Sequence, residues 1–557
     1  MAVFQNIKTG LQVRNRAVTL SEFEPRKTCC LLLSRSVFFN SSEEVLVGAI
    51  HSSRDILQYL GMNIPELGEG FLQFGSLVPL IIVVHLLFHF RMMRDYSLSN
   101  VKQFYPFKPY HDDIMSNDLS DLLKELKIKS PDELFADIPD AIRTKTLGLP
   151  KGMDEDEIRK VASAYAGMNK TVNQEHSFLG FGLYNHFVPA AISNVINRNE
   201  FLTAYTPYQA EISQGIMQAL FEYQSLAAEL FQMDAVNSSM YDVSTSLGEA
   251  ARMAKIITGK DEFIVPKYLS KNKRAVLDNY ARGAEIKVKE IDFDEKGMID
   301  LERLKEALNE NTSGVYVEYP NMFGIIDTNV PRIKEIIGEE RMFVAGVNPI
   351  SLGVLAPPGK FGADIAIGDG QVLGLGLNFG GPVVGIFATK EQYIRKMPGK
   401  IMGITKDHNG KVAFSMILQT REQHIRRERA VTNMTSNQAL MAVASAVYLS
   451  LMGDSGLKKI GEINMGRTKE LMDIVREFGV TMPYDGSPVF NEFLIRLKES
   501  KTFVCRIAKK FNLIPGYALG KNYGYNDRNQ TNIVVNVTER NTNDDFNAYK
   551  EFLREVA

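Results

Sequence analysis

Between Glu200 and Gly215 the chain reads EFLTAYTPYQAEISQG, which sets Tyr205, Thr206, Tyr208, Gln209, Glu211, Ser213 and Gln214 around a proline turn ahead of a long helix. So many hydrogen-bonding side chains at one helix mouth suit capture of a small polar or anionic ligand. The same residues read equally well as an elaborate helix cap and subunit contact. Upstream, FLGFGLYNHFVP (178–189) could bring backbone N–H groups close to a ligand, with Tyr184 and His186 as its bonding side chains. A lone GxG is common, and His186 by itself reads as a hydrogen-bonded structural histidine. The run NSSMYDVSTSLGEA (237–250) is a polar turn feeding a helix that starts near Ser244, a geometry that can hold a phosphate on free N–H groups. The basic run REQHIRRER (421–429) alternates charge at i, i+4 spacing if helical, and reads as a solvated or interface face held by ion pairs.

The elements that must position these residues alternate along the chain. FIVP (263–266), EIKVKEI (285–291), GVYVEYP (314–320), RMFVAG (341–346), ADIAIG (363–368) and VVGIFAT (383–389) read as buried strands, with helices such as LERLKEAL (301–308) and VPRIKEIIG (330–338) between them. That rhythm predicts a parallel sheet with crossover helices on both faces. After an apolar helix over 438–452 the pattern becomes α+β: a helix near 463–478, strands at 489–497 and 532–537, and helices at 502–511 and 542–556. Ahead of the sheet, helices are expected at 116–126 behind a Ser/Asn/Asp cap, at DELFADIP, and over 154–168.

Within this frame the stretch 343–385 has the layout of the cofactor centre of a pyridoxal-phosphate (PLP) enzyme, which needs a lysine for the Schiff base and an acid to keep the pyridine nitrogen protonated. The strand end that would carry the acid reads Ala345-Gly346-Val347-Asn348, and the turn that would carry the lysine reads Gly368-Asp369-Gly370-Gln371; no lysine lies between Lys360 and Lys390. The chain is therefore expected not to hold PLP covalently by itself, and the 237–250 mouth to be an inherited shape that no longer binds phosphate. A competing reading, an independent aminotransferase using a lysine elsewhere, predicts a borohydride-reducible lysine adduct.

With 557 residues there is room for two or three domains. The 64 basic and 66 acidic residues leave a formal charge of −2, which argues against a nucleic-acid partner. Three cysteines in no disulfide pattern make a reducing cytoplasm the default, and eight histidines without HExxH or a His/Cys cluster argue against a metal site. From Phe71 to Phe90 no charged residue appears, a length able to span a bilayer, though Gln73, Pro79, His85 and His89 dilute it. Membrane anchor, buried segment and an upstream region preceding a true start at Met92, Met93 or Met115 are the readings of this part.

Taken together, FLGFGLYNHFVPAAI, EFLTAYTPYQAEISQGIMQALFEYQSLAAEL, NSSMYDVSTSLGEAARMA, GDGQ with LNFGGP, and LQTREQHIRRERAVTNMTSNQAL resemble the glycine cleavage system P-protein family, the decarboxylating glycine dehydrogenases, in its N-terminal half or separate subunit 1. The resemblance runs from about residue 110 to the C-terminus, with departures at Phe181, Ala210 and Val243-Ser244. It implies an α/β fold of the type I PLP-transferase kind, with a large parallel-sheet domain and a smaller C-terminal α+β domain. The implied partition is an N-terminal extension over 1–107, a helical arm over 108–170, the large domain over 171–435 and the small one over 436–557. It further implies an αβ or (αβ)₂ assembly with a homologous subunit 2 that holds the PLP covalently, decarboxylating glycine and passing the aminomethyl group to lipoylated H-protein. In that setting no residue of this chain is assigned a catalytic role. Tyr205, Thr206, Tyr208, Glu211 and Gln214, and in second place Tyr184 and His186, are the expected pocket contributions. The alternative is a non-catalytic binding or regulatory protein that kept the fold; the dense polar 205–214 turn favours the enzyme subunit.

Overall fold

The computed structural model describes residues 112–144, 148–434, 437–525 and 527–557, apart from the side chains of 112–118 and 522. The apolar 71–90 segment, Met92 and Met93 lie outside the described residues. The chain divides into compact units over 1–151 and 152–557. In the first, helix α1 spans Asp112–Glu125 and a 3₁₀ turn spans Pro131–Phe135. The helix thus begins ahead of the Ser116 cap expected from sequence, and DELFADIP makes a single 3₁₀ turn.

The second unit opens with α2 (Glu155–Ala166). Asp154 and Glu157 close a reciprocal capping box there, which satisfies free N–H groups at the helix start directly. Its centre is a seven-stranded sheet. In chain order the strands are β1 (Ala235–Val236), β2 (Glu262–Pro266), β3 (Lys287–Ile291), β4 (Thr312–Tyr319), β5 (Met342–Val347), β6 (Ile365–Asp369) and β7 (Gly385–Thr389). They lie in the order β1-β7-β6-β5-β4-β2-β3. Strands β3, β2, β4, β5 and β6 run parallel, as the strand and helix rhythm predicts. The β6–β7 and β1–β7 pairs are antiparallel, a departure from the all-parallel expectation. The link 370–384 between β6 and β7 holds only short 3₁₀ turns and no crossover helix, and the chain returns along β6 in the opposite sense. A second departure is β3, an edge strand whose lysines keep it half exposed instead of buried.

Period-two alternation sends Phe343, Ala345 and Val347 to one face of the sheet and Met342 and Val344 to the other. Helices α3 (Gln214–Phe231) and α6 (Ala439–Glu477) cover the first face; α4 (Val243–Thr258) and α5 (Lys271–Gly283) cover the second. Each fully buried aliphatic or aromatic side chain contributes about 1.5–3 kcal/mol, so both faces hold the sheet. α6 joins the two helices expected at 438–452 and 463–478, with a break at Gly453 where φ is 59°. It is the one helix among the described residues long and apolar enough to cross a membrane, yet it packs into the core.

A hairpin not anticipated from sequence, β8 (Ile401–Lys406) and β9 (Val412–Ile417), lies against α3. Gln214 and Gln224 each reach its backbone with both ends of the amide. Gln214 Nε2 donates to Phe414 O at 2.9 Å and its Oε1 accepts from Phe414 N at 2.8 Å; Gln224 does the same at Met402 at 3.0 and 2.9 Å. A smaller antiparallel sheet, β10 (Glu492–Leu497), β12 (Thr531–Asn536) and β11 (Tyr517–Leu519), has helices at Lys501–Lys510 and Asn543–Val556 in a core of its own.

Candidate functional site

At the C-terminal ends of β4, β5 and β6 a small cavity is lined by Tyr184, Lys273, Glu318, Asn348, Asp369 and Glu492 among others. This is where ligands bind in open α/β sheets. What fills it is charge. Lys273 Nζ donates to Glu318 at 2.5 Å, and Tyr316 Oη donates to the same oxygen at 3.0 Å. Glu492 accepts from Phe181 N–H at 2.6 Å and from Tyr184 Oη at 2.9 Å. Asp369 accepts from Gln371 N–H at 2.9 Å and, across the cavity, from Val243 N–H at 3.3 Å at the start of α4. Burial pushes the Glu492 and Asp369 carboxyls up to about 7. It also raises the Tyr184 phenol, with the Glu492 charge adding to the effect.

These residues do not fit PLP. The strand end that would carry the acid, 345–348, holds no carboxyl group, and at Gly346 the Tyr316 hydroxyl lies 2.3 Å from the position of an added Cβ. At the lysine turn, a Cβ on Gly370 would meet Val384 at 2.5 Å, and Gln371 is bound to Tyr184 and Leu375 backbone. The mouth of α4, which could cradle a phosphate, has its N–H groups on the carboxylates of Asp242 and Asp369. A dianionic phosphate in this cavity would meet the carboxyl groups of Glu318, Asp369 and Glu492 against the single ammonium of Lys273. The glycine loop read as a ligand cradle spends its N–H groups inward in the same way: Phe181 binds Glu492 and Tyr184 binds Gln371. The Phe181 ring stacks on Tyr517, with centroids 4.2 Å apart.

The turn 205–214 has different surroundings. Tyr205 is 70 % and Tyr208 46 % exposed. Glu211 is exposed too, and the buried Thr206 hydroxyl has no hydrogen-bond partner. Gln214 faces inward and holds β9. Gln214→Ala removes both bonds to Phe414, and is expected to lower stability by about 1–2 kcal/mol in thermal unfolding. Tyr184 and His186 belong to other neighbourhoods. Tyr184 sits in the inner cavity, and His186 is buried with Nδ1 2.8 Å from Glu539. The structure thus groups the turn residues together and places the two second-rank residues inside the protein.

Beneath the turn lies a cluster that sequence reasoning did not assign. Lys400 Nζ donates to Glu422 at 2.6 Å and to Tyr208 Oη at 3.1 Å, while His424 packs edge-on to the Tyr208 ring. Arg421 is buried as well, donating to the carbonyls of Met397, Gly399 and Leu418, and burial lowers its guanidinium to about 10. The 421–429 run is therefore not one solvated helix. It breaks into short turns whose first two residues are internal anchors. Their burial left no sequence signal, because a charged residue flanked by charges reads as surface.

Residues 111–553 match the family described as glycine cleavage system P-protein. The probable glycine dehydrogenase (decarboxylating) subunit 1 of Thermoplasma volcanium is 45 % identical over 394 residues, spanning 71 % of this chain and 89 % of that one. A crystal structure of a glycine decarboxylase (P-protein) of the glycine cleavage system, in inhibitor-bound form, superposes with a TM-score of 0.72 at 34 % identity, covering 81 % of this chain and 99 % of that one. The sphingosine-1-phosphate lyase of Burkholderia pseudomallei, at 12 % identity and a TM-score of 0.54 over 74 % of this chain and 93 % of that one, shares the fold alone. The fold is that of the type I PLP-dependent enzymes, and the chain belongs to the glycine cleavage system P-protein family.

Proposed function

We propose that this chain is subunit 1 of a glycine-decarboxylating P-protein, working in a complex with a homologous subunit that holds the PLP. The observation that carries this reading is the contrast between two sites on one chain. The inner cavity is packed with its own charges and does not fit the cofactor, whereas the 205–214 turn carries the side chains of Tyr205, Tyr208 and Glu211 at the surface. PLP supplies an electron sink for the carbanion left by loss of CO₂. In this reading Tyr205, Tyr208 and Glu211 form one wall of the partner's pocket: the tyrosine hydroxyls donate to the glycine carboxylate or the arriving lipoyl arm, Glu211 accepts from an N–H of either, and the turn, with the buried Thr206 hydroxyl beneath it, excludes water. Ile212, in the same turn and 81 % exposed, supplies apolar surface for the contact. The family match starting at residue 111 supports reading 1–107 as an extension outside the enzyme body, and the cytoplasm is the proposed compartment.

The test is reconstitution. The isolated chain treated with PLP and borohydride is expected to carry no pyridoxyl group. The same chain mixed with subunit 2, PLP and lipoylated H-protein is expected to exchange CO₂ with the glycine carboxyl. Tyr208→Phe is expected to lower that exchange about tenfold, the loss of one hydrogen bond to a reacting charge, while still assembling. Absence of exchange in the complete mixture would defeat the reading, and full activity of Tyr208→Phe would remove the turn from the site.

A further inference from the structure

We propose that Lys400 and Glu422 are positioning residues: a buried ion pair that fixes the Tyr208 hydroxyl as an outward-facing hydrogen-bond donor. The proposal rests on the reading of the 205–214 turn as part of the shared active site.

Lys400 and Glu422 have side chains only 2 % and 4 % exposed, and they meet at 2.6 Å. Taking both charges out of water is costly, and an ion pair there is weak support for stability, because apolar residues of similar volume often do as well. A second role is written in the geometry. Lys400 Nζ also donates to Tyr208 Oη at 3.1 Å, while its ammonium lies 5.0 Å from the centre of the Tyr208 ring. A phenol has one proton and two acceptor lone pairs. With a lone pair committed to an ammonium, its proton must point elsewhere, and the half-exposed ring leaves solvent, or a ligand, as the acceptor. The adjacent cation also polarises the O–H bond and makes it a stronger donor.

Each partner is itself held. The carbonyl of Lys400 accepts from Ser238 N–H at 2.8 Å, and Arg421 donates to the carbonyl of Gly399 at 2.9 Å. His424 packs edge-on to the ring, with centroids 5.7 Å apart at 85°, and its Nδ1 lies 3.6 Å from the same Glu422 oxygen that Lys400 meets. The phenol is thus gripped at its oxygen and its face, the way a reacting-site donor is fixed by supporting contacts.

The test combines a double-mutant cycle with a spectroscopic readout. The neutral pair Lys400→Met/Glu422→Gln removes both charges together, so no unpaired ion is left in the interior. In the isolated chain labelled with ¹³Cζ-tyrosine, the Tyr208 resonance, assigned by its disappearance in Tyr208→Phe, is expected to move in the neutral pair. In the complete complex with subunit 2, PLP and H-protein, the neutral pair and Tyr208→Phe are each expected to lower kcat for glycine–CO₂ exchange about tenfold. Combining them is expected to be no slower than the slower of the two, because both break one unit. Lys400→Arg, which keeps a cationic donor, is expected to recover part of the loss. An unmoved resonance, or losses that multiply in the combined variant, would overturn the proposal. A moved resonance with no exchange even in the unaltered complex would support the positioning and overturn only the functional reading beneath it.

Discussion

At pH 8 the Glu492→Gln chain is expected to unfold at a distinctly higher temperature than the unaltered chain, and near pH 4.5 the two should coincide. Glu492 is buried beside Lys273, Tyr184, the Phe181 N–H and a second carboxylate, Glu318. Burial raises its carboxyl from 4.5 to about 7. The folded chain therefore holds this proton more tightly than the unfolded chain does. The associated stability is complete below about pH 4.5 and is lost as the pH rises through about 7. Asp369, facing Asp242, Lys273 and the N–H groups of Gln371 and Val243, is raised from 3.8 to about 7, chiefly by burial, and loses stability in the same direction.

At pH 8 the loss is about 3 kcal/mol for Glu492 and about 4 kcal/mol for Asp369, because each tenfold difference in proton affinity between the folded and unfolded chain is worth about 1.4 kcal/mol. Glutamine has the shape of the protonated acid: its oxygen accepts from Phe181 N–H, and its amide nitrogen can donate to Tyr184. It gives up only the charge. Paired surface carboxylates act oppositely. Asp485, held below its usual range by the Arg476 hydrogen bond, loses stability as the pH falls. Thermal unfolding from pH 4.5 to 8 checks the expectation. An equal gain for Glu492→Gln across that whole range would show that packing, not protonation, is responsible.

Much of the scaffold was legible because it rests on short-range patterns. The apolar runs at 263–266, 314–320, 341–346 and 363–368 are buried strands, and the ends of each lie within two residues of their positions in the structure. The absence of a lysine at the turn 368–371 was equally readable, since it needed only one aligned stretch. What escaped was decided by distant partners. Glu492 meets Phe181 across 311 positions, Gln214 meets Phe414 across 200, and Lys400 meets Tyr208 across 192. No local periodicity marks such a residue as internal. The β8–β9 hairpin escaped for a related reason: its strands are held by Gln214 at Phe414 and Gln224 at Met402, partners far away in sequence that no local pattern marks.

The same cavity supports a second large effect. Lys273→Met is expected to destabilise the chain by about 3–5 kcal/mol, the cost of leaving a buried carboxylate without its cation. Lys273 is the ammonium in contact with Glu318, whose side chain is 5 % exposed, and it lies close enough to temper the charges of Glu492 and Asp369. Lys273→Met/Glu318→Gln should recover most of the loss, because the amide still accepts from Tyr316 and carries no charge to solvate. If the ion pair served stability alone, the double variant would be expected to match or exceed the unaltered chain, as neutral replacements of buried pairs often do. Urea unfolding of the three chains at pH 7 separates these outcomes. A Lys273→Met loss below about 1 kcal/mol, the range of an exposed ion pair, would mean that water reaches the cavity and screens it. The electrostatic barrier to PLP would then be gone, and the absence of a lysine from the 368–371 turn would remain as the reason the chain does not hold the cofactor covalently.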